Sequence, residues 1–401
     1  MRALLLLLGP FVALLGFVAD VPVLSGLGFL LTFLGVLTAL WHRHLFAGTR
    51  FRIALAERRL FPGEHTTLTI ELENRKLLPL PWFEWQVALS DPLRVEGERL
   101  AAAAAPGFSF LRKAGTLGWY ARARWRFALS SETRGYHQVG PAEVKSADIL
   151  GLAPQTLPAP SALRVVVYPR VVSLPELGLP ADRPFGDAKG RAQLFEDPLR
   201  VKGLREYRPG DPLRRIDWKA TARLGELTSR VYEPSAARYL YLLLNVDTLP
   251  RSWEGYLADD LERTVTVAAS IAAWAHEHRL PVGLLANGSL PDADRPLRLP
   301  PSASRDQLVR ILEALAMVQP LTMQELAAVV RKESGRWPLG ATVVLVASLV
   351  PDELAAEVVR LHGQGYRTAA VLTSERADPA QLGPVPVYRV LRLPALAGAL
   401  P

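Results

Sequence analysis

The sequence predicts a multi-domain protein with an N-terminal transmembrane helical hairpin, a small β-sandwich and a C-terminal, doubly wound α/β domain. Three observations indicate this fold class. Two long apolar runs open the chain, apolar and polar side chains then alternate, and short apolar runs finally alternate with helical patterns. The predicted parts are the hairpin, the sandwich, a connecting segment and the α/β domain, at residues 1–44, 50–170, 171–237 and 238–395.

Composition narrows the function classes. The 401 residues suffice for two or three domains, and 49% of them are hydrophobic, with the excess at the N-terminus. The chain has no cysteine, which excludes disulfides, thiolate metal sites and cysteine nucleophiles. A net charge of +8 indicates anionic neighbours, and anionic membrane lipid is the simplest of these. Nucleic acid is a weaker interpretation, because the arginines are scattered.

The hairpin is predicted from two apolar runs, Ala3 to Ala19 and Val23 to Trp41, with Asp20 in the turn between them. Each is close to the roughly 20 helical residues that cross a hydrocarbon core. We expect helices at about 3–19 and 23–41. Basic residues flank both outer ends, so the positive-inside rule places both ends and the following domains in the cytoplasm.

A cleaved signal peptide is the alternative for the first run. Arg2 would then be the positively charged region, and Leu4 to Leu8 would open the apolar region. Phe17 to Ala19 match a small-residue cleavage site poorly. The second run would still anchor the chain.

The sandwich is predicted from strands with a period of two residues. Phe51–Leu55, Thr67–Glu73 and Trp119–Phe127 alternate apolar with polar side chains, and turn residues separate them. Short strands at this spacing are typical of a β-sandwich. One further strand, Arg164–Tyr168, precedes a loop predicted over Pro180–Leu194, which is rich in proline, glycine and charged residues.

The α/β domain is predicted from a change of period. Tyr239–Val246 is a continuous apolar run, as expected for a strand that is buried on both faces. Leu257, Leu261 and Val265 follow at helical spacing. Later strands and helices alternate in the same way, which favours a mostly parallel sheet. They are expected at 281–285, 305–317, 323–332, 342–346, 351–364, 367–372 and 385–390.

The most distinctive segment lies before this domain. Pro209-Gly210 suits a tight turn, Asp211 suits a helix N-cap, and Gly225 suits the helix end. The run from Gly203 to Arg223, GLREYRPGDPLRRIDWKATAR, resembles the hallmark of the bacterial domain-of-unknown-function family number fifty-eight. We call this run the hallmark.

The resemblance extends over most of the chain after residue 50. It implies a C-terminal domain similar to von Willebrand A domains, a paired-helix anchor in the bacterial inner membrane, and no defined enzymatic reaction. It also implies partnership with a MoxR-type AAA+ ATPase and other membrane proteins of the same pathway. We therefore expect a non-catalytic interaction protein, without cofactor, in envelope or complex assembly.

Two interpretations of the hallmark stay open. It is either a docking surface for an acidic partner, since arginine pairs with carboxylates in a bidentate manner, or a clasp between sandwich and α/β domain through Tyr207, Ile216 and Trp218. The predicted site residues are Arg205, Tyr207, Gly210, Asp211, Arg214, Ile216, Trp218 and Arg223.

A metal site is predicted to be degenerate. A von Willebrand A domain binds Mg²⁺ through Asp-x-Ser-x-Ser after its first strand, and the resemblance places Asp247 at the aspartate. Leu249 and Arg251 occupy the two serine positions, so only Asp247 is retained. No Walker A, H-E-x-x-H or G-x-S-x-G motif is present. The alternatives are a hydrolase built on Asp211, Asp217 and Asp247, or a basic nucleic-acid-binding protein.

Overall fold

A computed structural model describes residues 2–149, 151, 154–160, 162–180, 196–208, 215–234, 239–291, 296–338 and 340–394. The chain forms two compact units, unit 1 (Met1–Tyr168) and unit 2 (Pro169–Pro401). The described part of the predicted connecting segment belongs to unit 2. The predicted loop Pro180–Leu194 lies outside the described residues except for Pro180.

Unit 1 opens with two helices, α1 (Arg2–Val18) and α2 (Pro22–His44). α2 is long and apolar enough to cross a membrane, whereas the apolar part of α1, Leu4–Val18, is shorter. Among the described residues there is thus one candidate span. The other predicted span forms a helix, but its length does not meet the same criterion.

Glycines set how closely these two helices pack. A Cβ added to Gly28 of α2 would lie 2.1 Å from the backbone nitrogen of Ala13, and one added to Gly16 of α1 would lie 2.3 Å from that of Ser25. Small residues allow helix backbones to approach in this way. The glycines inside the apolar runs are therefore contact positions between α1 and α2.

The rest of unit 1 consists of strands in two sheets. One has four strands in the order β1-β3-β8-β5, and the other has seven, in the order β2-β11-β9-β4-β7-β6 with β10 beside β9. The strands are β1 (Thr49–Leu55), β2 (Arg59–Leu60), β3 (His65–Asn74), β4 (Leu80–Ser90), β5 (Arg94–Val95), β6 (Ala101–Ala102), β7 (Phe108–Leu117), β8 (Arg122–Ser130), β9 (Gly135–Ser146), β10 (Gln155–Ala159) and β11 (Leu163–Val167).

Both sheets contribute to one hydrophobic core, which includes Leu68 and Ile70 of β3 and Trp85 of β4. Burial alternates along β3, as the period of two residues predicts.

The predicted strand Trp119–Phe127 is wrong at its start, since β8 begins at Arg122. The reason is a turn at Trp119 and Tyr120, in which Tyr120 has a φ of 48° that a strand does not allow.

A buried histidine in β9 predicts a pH-dependent stability. Burial lowers the pKa of His137 below its ordinary value of 6.5, although the bond between its Nε2 and the Thr133 carbonyl oxygen acts in the opposite direction. The unfolded chain then takes up the proton first as pH falls. The contribution of His137 to the free energy of unfolding should therefore be constant above pH 6.5 and decline as the pH falls below this value. Hydrogen exchange in β9 of the full chain in detergent measures this, and the decline should flatten in His137→Gln.

Unit 2 contains a two-stranded ribbon, a six-stranded sheet and a short two-stranded sheet. The six-stranded sheet has the order β17-β15-β14-β19-β20-β21, in which only β17 is antiparallel to its neighbour. The elements are β12 (Glu196–Glu206), α3 (Trp218–Leu224), β13 (Thr228–Pro234), β14 (Leu240–Asn245), α4 (Ala258–Glu277), β15 (Val282–Ala286), β16 (Gly288–Ser289), β17 (Leu297–Ser302), α5 (Gln307–Met317), β18 (Gln319–Thr322), α6 (Leu326–Ser334), β19 (Thr342–Ala347), α7 (Asp352–Gly363), β20 (Arg367–Leu372) and β21 (Val387–Arg389).

Strands β14, β15, β19 and β20 of this sheet are buried on both faces, as their continuous apolar runs predict. Helices α4, α6 and α7 each bury an apolar side. Strand order reverses beside β14, whose two neighbours are β15 and β19. In such sheets, the crevice outside the carboxyl ends of these strands is the usual place for a ligand.

Candidate functional site

Polar residues stand at the carboxyl ends of the parallel strands. Asn245 is the last residue of β14, Asn287 follows β15, and Ser348 follows β19. All three side chains are buried. Because parallel strands end at the same edge of a sheet, their side chains can meet there, next to Asp247.

These residues form a closed set of hydrogen bonds around Asp247. Asn287 Nδ2 donates to Asp247 Oδ2 over 2.7 Å and to Asn245 Oδ1 over 2.8 Å. Thr322 Oγ1 donates to the other carboxylate oxygen, Asp247 Oδ1. Ser348 Oγ donates to the Asp247 carbonyl oxygen over 3.2 Å. We call these five residues, Asn245, Asp247, Asn287, Thr322 and Ser348, the strand-end network.

The strand-end network does not fit a divalent cation. Both Asp247 carboxylate oxygens accept hydrogen bonds from side chains, and one donor is an amide nitrogen, which cannot bind a cation. Mg²⁺ requires several oxygen ligands, but Leu249 and Arg251 supply none from their side chains. Within the described ranges, no three histidine, aspartate or glutamate side chains gather in a way that could hold a metal ion.

A second charged cluster lies in the first turn of α4. Asp260 is buried and pairs with Arg263 Nη1 at 3.1 Å and with Arg376 Nη1 at 2.9 Å. Arg263 also donates to the Thr373 carbonyl oxygen, so the cluster connects α4 to the end of β20. Asp260 is thus part of a structural ion pair as well as a first-turn carboxylate.

The hallmark folds around the ribbon of β12 and β13. Arg205 lies in β12 and Tyr207 directly follows this strand. Both are half-buried, and Arg205 pairs in register with Ser229. Ile216 is buried and forms an isolated antiparallel bridge with Ser229. The predicted site residues Gly210, Asp211 and Arg214 lie outside the described residues.

The helix of the hallmark begins later than the sequence predicts. We expected a start at Asp211, but Arg215 to Asp217 are not α-helical and α3 begins at Trp218. Asp217 is the N-cap, because its Oδ1 accepts hydrogen bonds from the backbone nitrogens of Lys219 and Ala220. Gly225 ends the helix with a φ of 75°, as predicted.

Asp217 is committed to this local structure. Its Oδ2 also pairs with Arg230 Nε at 3.0 Å. The hydrogen bond from the Ala220 backbone, followed by that from Arg230, lowers the pKa of the Asp217 carboxyl. Asp217 was a candidate catalytic carboxylate in the hydrolase alternative, and its role as an N-cap was not predicted. The helical residues that follow it, Trp218 to Leu224, are the signal for this role.

The outer surface of the hallmark combines apolar and cationic side chains. None of the residues of α3 is buried, and Trp218 is 67% exposed. Lys219 and Arg223, one helical turn apart, are exposed on the same helix, and Leu224 is exposed at its end. Among the predicted site residues that the structure describes, Ile216 is thus buried, Arg205 and Tyr207 are half-buried, and Trp218 and Arg223 are exposed.

Two residues of the strand-end network, Asn287 and Thr322, were not predicted from the sequence. A signal for Asn287 was present, since a polar residue directly follows a buried parallel strand. Thr322 carried no such signal, because it ends β18, a short strand that the sequence pattern did not reveal.

The solved structures that resemble parts of this chain include two distant likenesses. A cohesin module from a Clostridium perfringens ATCC13124 family 33 glycoside hydrolase covers 30% of this chain and 95% of its own length, at 13% identity and a TM-score of 0.20. A β-glucosidase from Listeria innocua covers 30% of this chain and 16% of its own, at 14% identity and a TM-score of 0.19. At these TM-scores neither likeness bears on fold or function.

Sequence comparison is more informative. A Bacillus subtilis (strain 168) protein named "Uncharacterized protein YeaD" is 23% identical over 340 residues, which are 83% of this chain and 78% of that protein. Residues 203–387, from the hallmark to β21, match the family described as "Protein of unknown function DUF58". The part of the chain from the hallmark to β21 is therefore similar to the DUF58 family.

Proposed function

We propose that the protein is a non-catalytic, membrane-tethered interaction protein that docks an acidic partner through the hallmark. One observation carries this proposal. Helix α3 exposes Trp218 and Leu224 to solvent and also carries the exposed cationic side chains of Lys219 and Arg223.

The exposure of α3 supports a docking role. A helix of seven residues is too short to be stable by itself, and most helices gain their stability from a buried apolar face. α3 is held by its caps, Asp217 and Gly225, while its tryptophan remains exposed. Tryptophan and arginine are enriched among the residues that dominate protein interfaces.

The charge of this surface supports an acidic partner. Lys219 and Arg223 are exposed on the same short helix as Trp218, so a partner that offers both carboxylates and an apolar pocket would complement this helix. From the resemblance described above, a MoxR-type AAA+ ATPase is the partner that we propose, together with other membrane proteins of its pathway. A clasp between the two parts of the chain is the competing role for the hallmark.

The anchor that we propose is the hairpin of α1 and α2, which crosses the bacterial inner membrane twice. The strands of unit 1 and all of unit 2 would then lie in the cytoplasm. The close glycine packing between α1 and α2 supports a hairpin, since α1 would then be shielded by α2 along its length. We also propose that the two sheets of unit 1 form a sandwich and that the α/β sheet of unit 2 is von Willebrand A-like, which its strand order supports.

The candidate carboxylates Asp217 and Asp247 are engaged in hydrogen bonds within the chain, which favours a non-catalytic role over a hydrolase. Asp247 accepts hydrogen bonds on both carboxylate oxygens, and Asp217 caps α3 and pairs with Arg230. A general acid or base needs a carboxyl that can reach a substrate proton. Nucleic-acid binding is the weaker alternative, and the basic residues of unit 1 are partly neutralised, as in the pairs of Arg122 with Glu71 and Arg75 with Glu73.

The test is a crosslinking pull-down of the full chain from membranes. We compare the native chain with a Trp218→Ala variant and with a matched control, Trp253→Ala. Trp253 is 78% exposed and lies outside the hallmark in unit 2, so both substitutions remove an exposed tryptophan. Loss of an exposed interface tryptophan typically costs about 2 kcal/mol of binding, or roughly thirtyfold in affinity.

We expect Trp218→Ala to lose the captured ATPase and Trp253→Ala to retain it. Capture that is unchanged in Trp218→Ala would remove the docking role and favour the clasp. If neither the native chain nor any variant captures an ATPase, the ATPase is not the partner. Matching circular dichroism spectra of the three proteins serve as the folding control.

A further inference from the structure

Two loops of unit 1 carry exposed, large apolar side chains. Leu77, between β3 and β4, is 70% exposed, and Trp119 and Tyr120, between β7 and β8, are each 67% exposed. The loops are held together, since Asn74 Nδ2 donates to the carbonyl oxygens of Leu78 and Gly118. The Tyr120 backbone nitrogen also donates to the Lys76 carbonyl oxygen over 3.2 Å. We call Leu77, Trp119 and Tyr120 the loop-tip cluster.

The same loops are bonded to the end of helix α2. Lys76 Nζ donates to the carbonyl oxygen of Leu45, the residue after the helix, and to Thr49 Oγ1 over 2.9 Å. The Arg75 backbone nitrogen donates to the Gly48 carbonyl oxygen over 3.0 Å. The loop-tip cluster therefore belongs to the end of unit 1 from which α2 emerges.

The end of α2 is itself fixed to the strands. Leu45 is fully buried in the core of unit 1, and Trp41 and Phe46 pack against that core. Gln155 Nε2 donates to the His42 carbonyl oxygen over 3.0 Å. At a rise of 1.5 Å per residue, Leu45 lies only about 6 Å along the axis beyond Trp41, where the apolar run ends. A membrane that contains α2 would end close to these loops.

The backbone of Tyr120 supplies an independent observation. Its φ of 48° is a left-handed conformation that glycine and asparagine adopt more readily than an aromatic residue. A strained residue that is also exposed gains little from packing within its own chain. Such a position is typical of a residue that is held for a contact with another surface.

We propose that the loop-tip cluster inserts into the headgroup region of the bilayer beside α2 and forms a second, interfacial membrane contact. The proposal rests on the proposed membrane anchor, because α2 must cross the bilayer for the loops to reach it. Tryptophan and tyrosine are enriched at this depth, where their rings are in contact with both apolar and polar groups. Arg43, exposed at the end of α2, adds a cationic group that favours anionic lipid headgroups.

The experiment uses the absence of cysteine from the chain. Single cysteines are introduced by Trp119→Cys, Phe33→Cys and His65→Cys, each in the full chain, and are labelled with an environment-sensitive fluorophore. Phe33 is exposed at the midpoint of α2 and reports on the anchor. His65 is exposed at the opposite end of β3 from Asn74, roughly 30 Å away at the rise of a strand, and is the matched control.

The labelled proteins are reconstituted in vesicles of phosphatidylethanolamine and phosphatidylglycerol. Nitroxide quenchers are placed on lipid headgroups in one set and at mid-chain depth in another. We expect the headgroup nitroxide to quench the label at position 119 and to leave that at position 65 bright, while the mid-chain nitroxide quenches the label at position 33.

The outcomes separate the two proposals. Quenching at position 33 together with equal brightness at positions 119 and 65 would overturn the interfacial contact and leave the anchor intact. A label at position 33 that no quencher reaches would overturn the anchor and the interfacial contact with it. Mid-chain quenching at position 119 would also overturn the proposal, because the loops would then lie in the hydrocarbon core.

Discussion

Replacing Asn287 with aspartate is expected to lower the free energy of unfolding of unit 2 by roughly 3–5 kcal/mol. Asn287 is fully buried, and its Nδ2 donates to Asp247 and Asn245. Asn287→Asp removes both donated hydrogen bonds and places a second carboxylate within 2.7 Å of the Asp247 oxygen. Two buried carboxylates at this distance cannot both be ionised without a large cost. Hydrogen exchange in β14 and β15 of the full chain in detergent measures the loss.

The same substitution tests whether the Asn287 amide keeps a divalent cation from binding at this strand end. In Asn287→Asp the introduced carboxylate, Asp247 and the hydroxyl of Thr322 would present oxygen atoms of the type that Mg²⁺ binds. We expect millimolar Mg²⁺ to restore part of the lost stability, since a ligand that binds only the folded state stabilises it. Lower pH should also restore part of it, because a proton on either carboxyl removes the repulsion.

Asn287→Ala is the matched control. It also loses both donors, but it adds no charge and no oxygen ligand, so neither Mg²⁺ nor lower pH should restore its stability. If Asn287→Asp proves as stable as the native chain at neutral pH without metal, the amide of Asn287 does not hold Asp247 as the hydrogen bonds indicate. If both variants respond equally to Mg²⁺, the cation binds elsewhere.

Much of the secondary structure follows from sequence patterns where burial is regular. β20 was expected at 367–372 and lies at Arg367–Leu372, and α7 was expected at 351–364 and lies at Asp352–Gly363. These elements have one face or both faces in the core, so their apolar period is complete. Apolar periodicity therefore predicts helices and strands best where burial in the core determines the secondary structure.

The sequence patterns were less informative where packing does not set the local structure. β17 is an antiparallel edge strand that contains Pro300 and Pro301. An edge strand tolerates proline, whereas a central strand does not. The strand predicted to begin at Trp119 starts after a turn in which Tyr120 has the left-handed conformation, a position that glycine or asparagine more often occupies. The sequence also could not distinguish the N-cap Asp217 from Asp211, because both precede helix-forming residues.

The candidate site shows the same division. Asp247 was predicted at the end of the first strand of the sheet, where the structure places it. Its partners Asn287 and Thr322 are 40 and 75 residues away, and only the fold brings them to it. Which hallmark residues face outward also depends on the ribbon and on the caps of α3, which single-residue patterns do not encode.

Trp85→Ala is expected to lower the free energy of unfolding of unit 1 by roughly 3–5 kcal/mol. Trp85 is fully buried in β4, and its ring contacts two aromatic rings of β8 in the other sheet. Ring centroids lie 5.3 Å from Trp125 and 6.0 Å from Phe127, both in edge-on arrangements. Truncation would therefore leave a cavity between the sheets and remove the favourable aromatic geometry. Faster hydrogen exchange in β4 and β8, with unchanged exchange in β14 and β19 of unit 2, is the expected result.

Trp85→Phe separates the packing of the ring from its polar atom. The indole Nε1 is buried and has no hydrogen-bond partner among the residues that the structure describes. Phenylalanine keeps an aromatic ring between the sheets and removes the unbonded N–H. The loss of packing is therefore offset in part, and we expect the free energy of unfolding to fall by only about 1 kcal/mol. Equal losses in Trp85→Ala and Trp85→Phe would show that Nε1 forms a bond that the ring packing does not replace. Because Trp41 and Phe46 pack against the same core, only Trp85→Ala should also accelerate exchange at the end of α2.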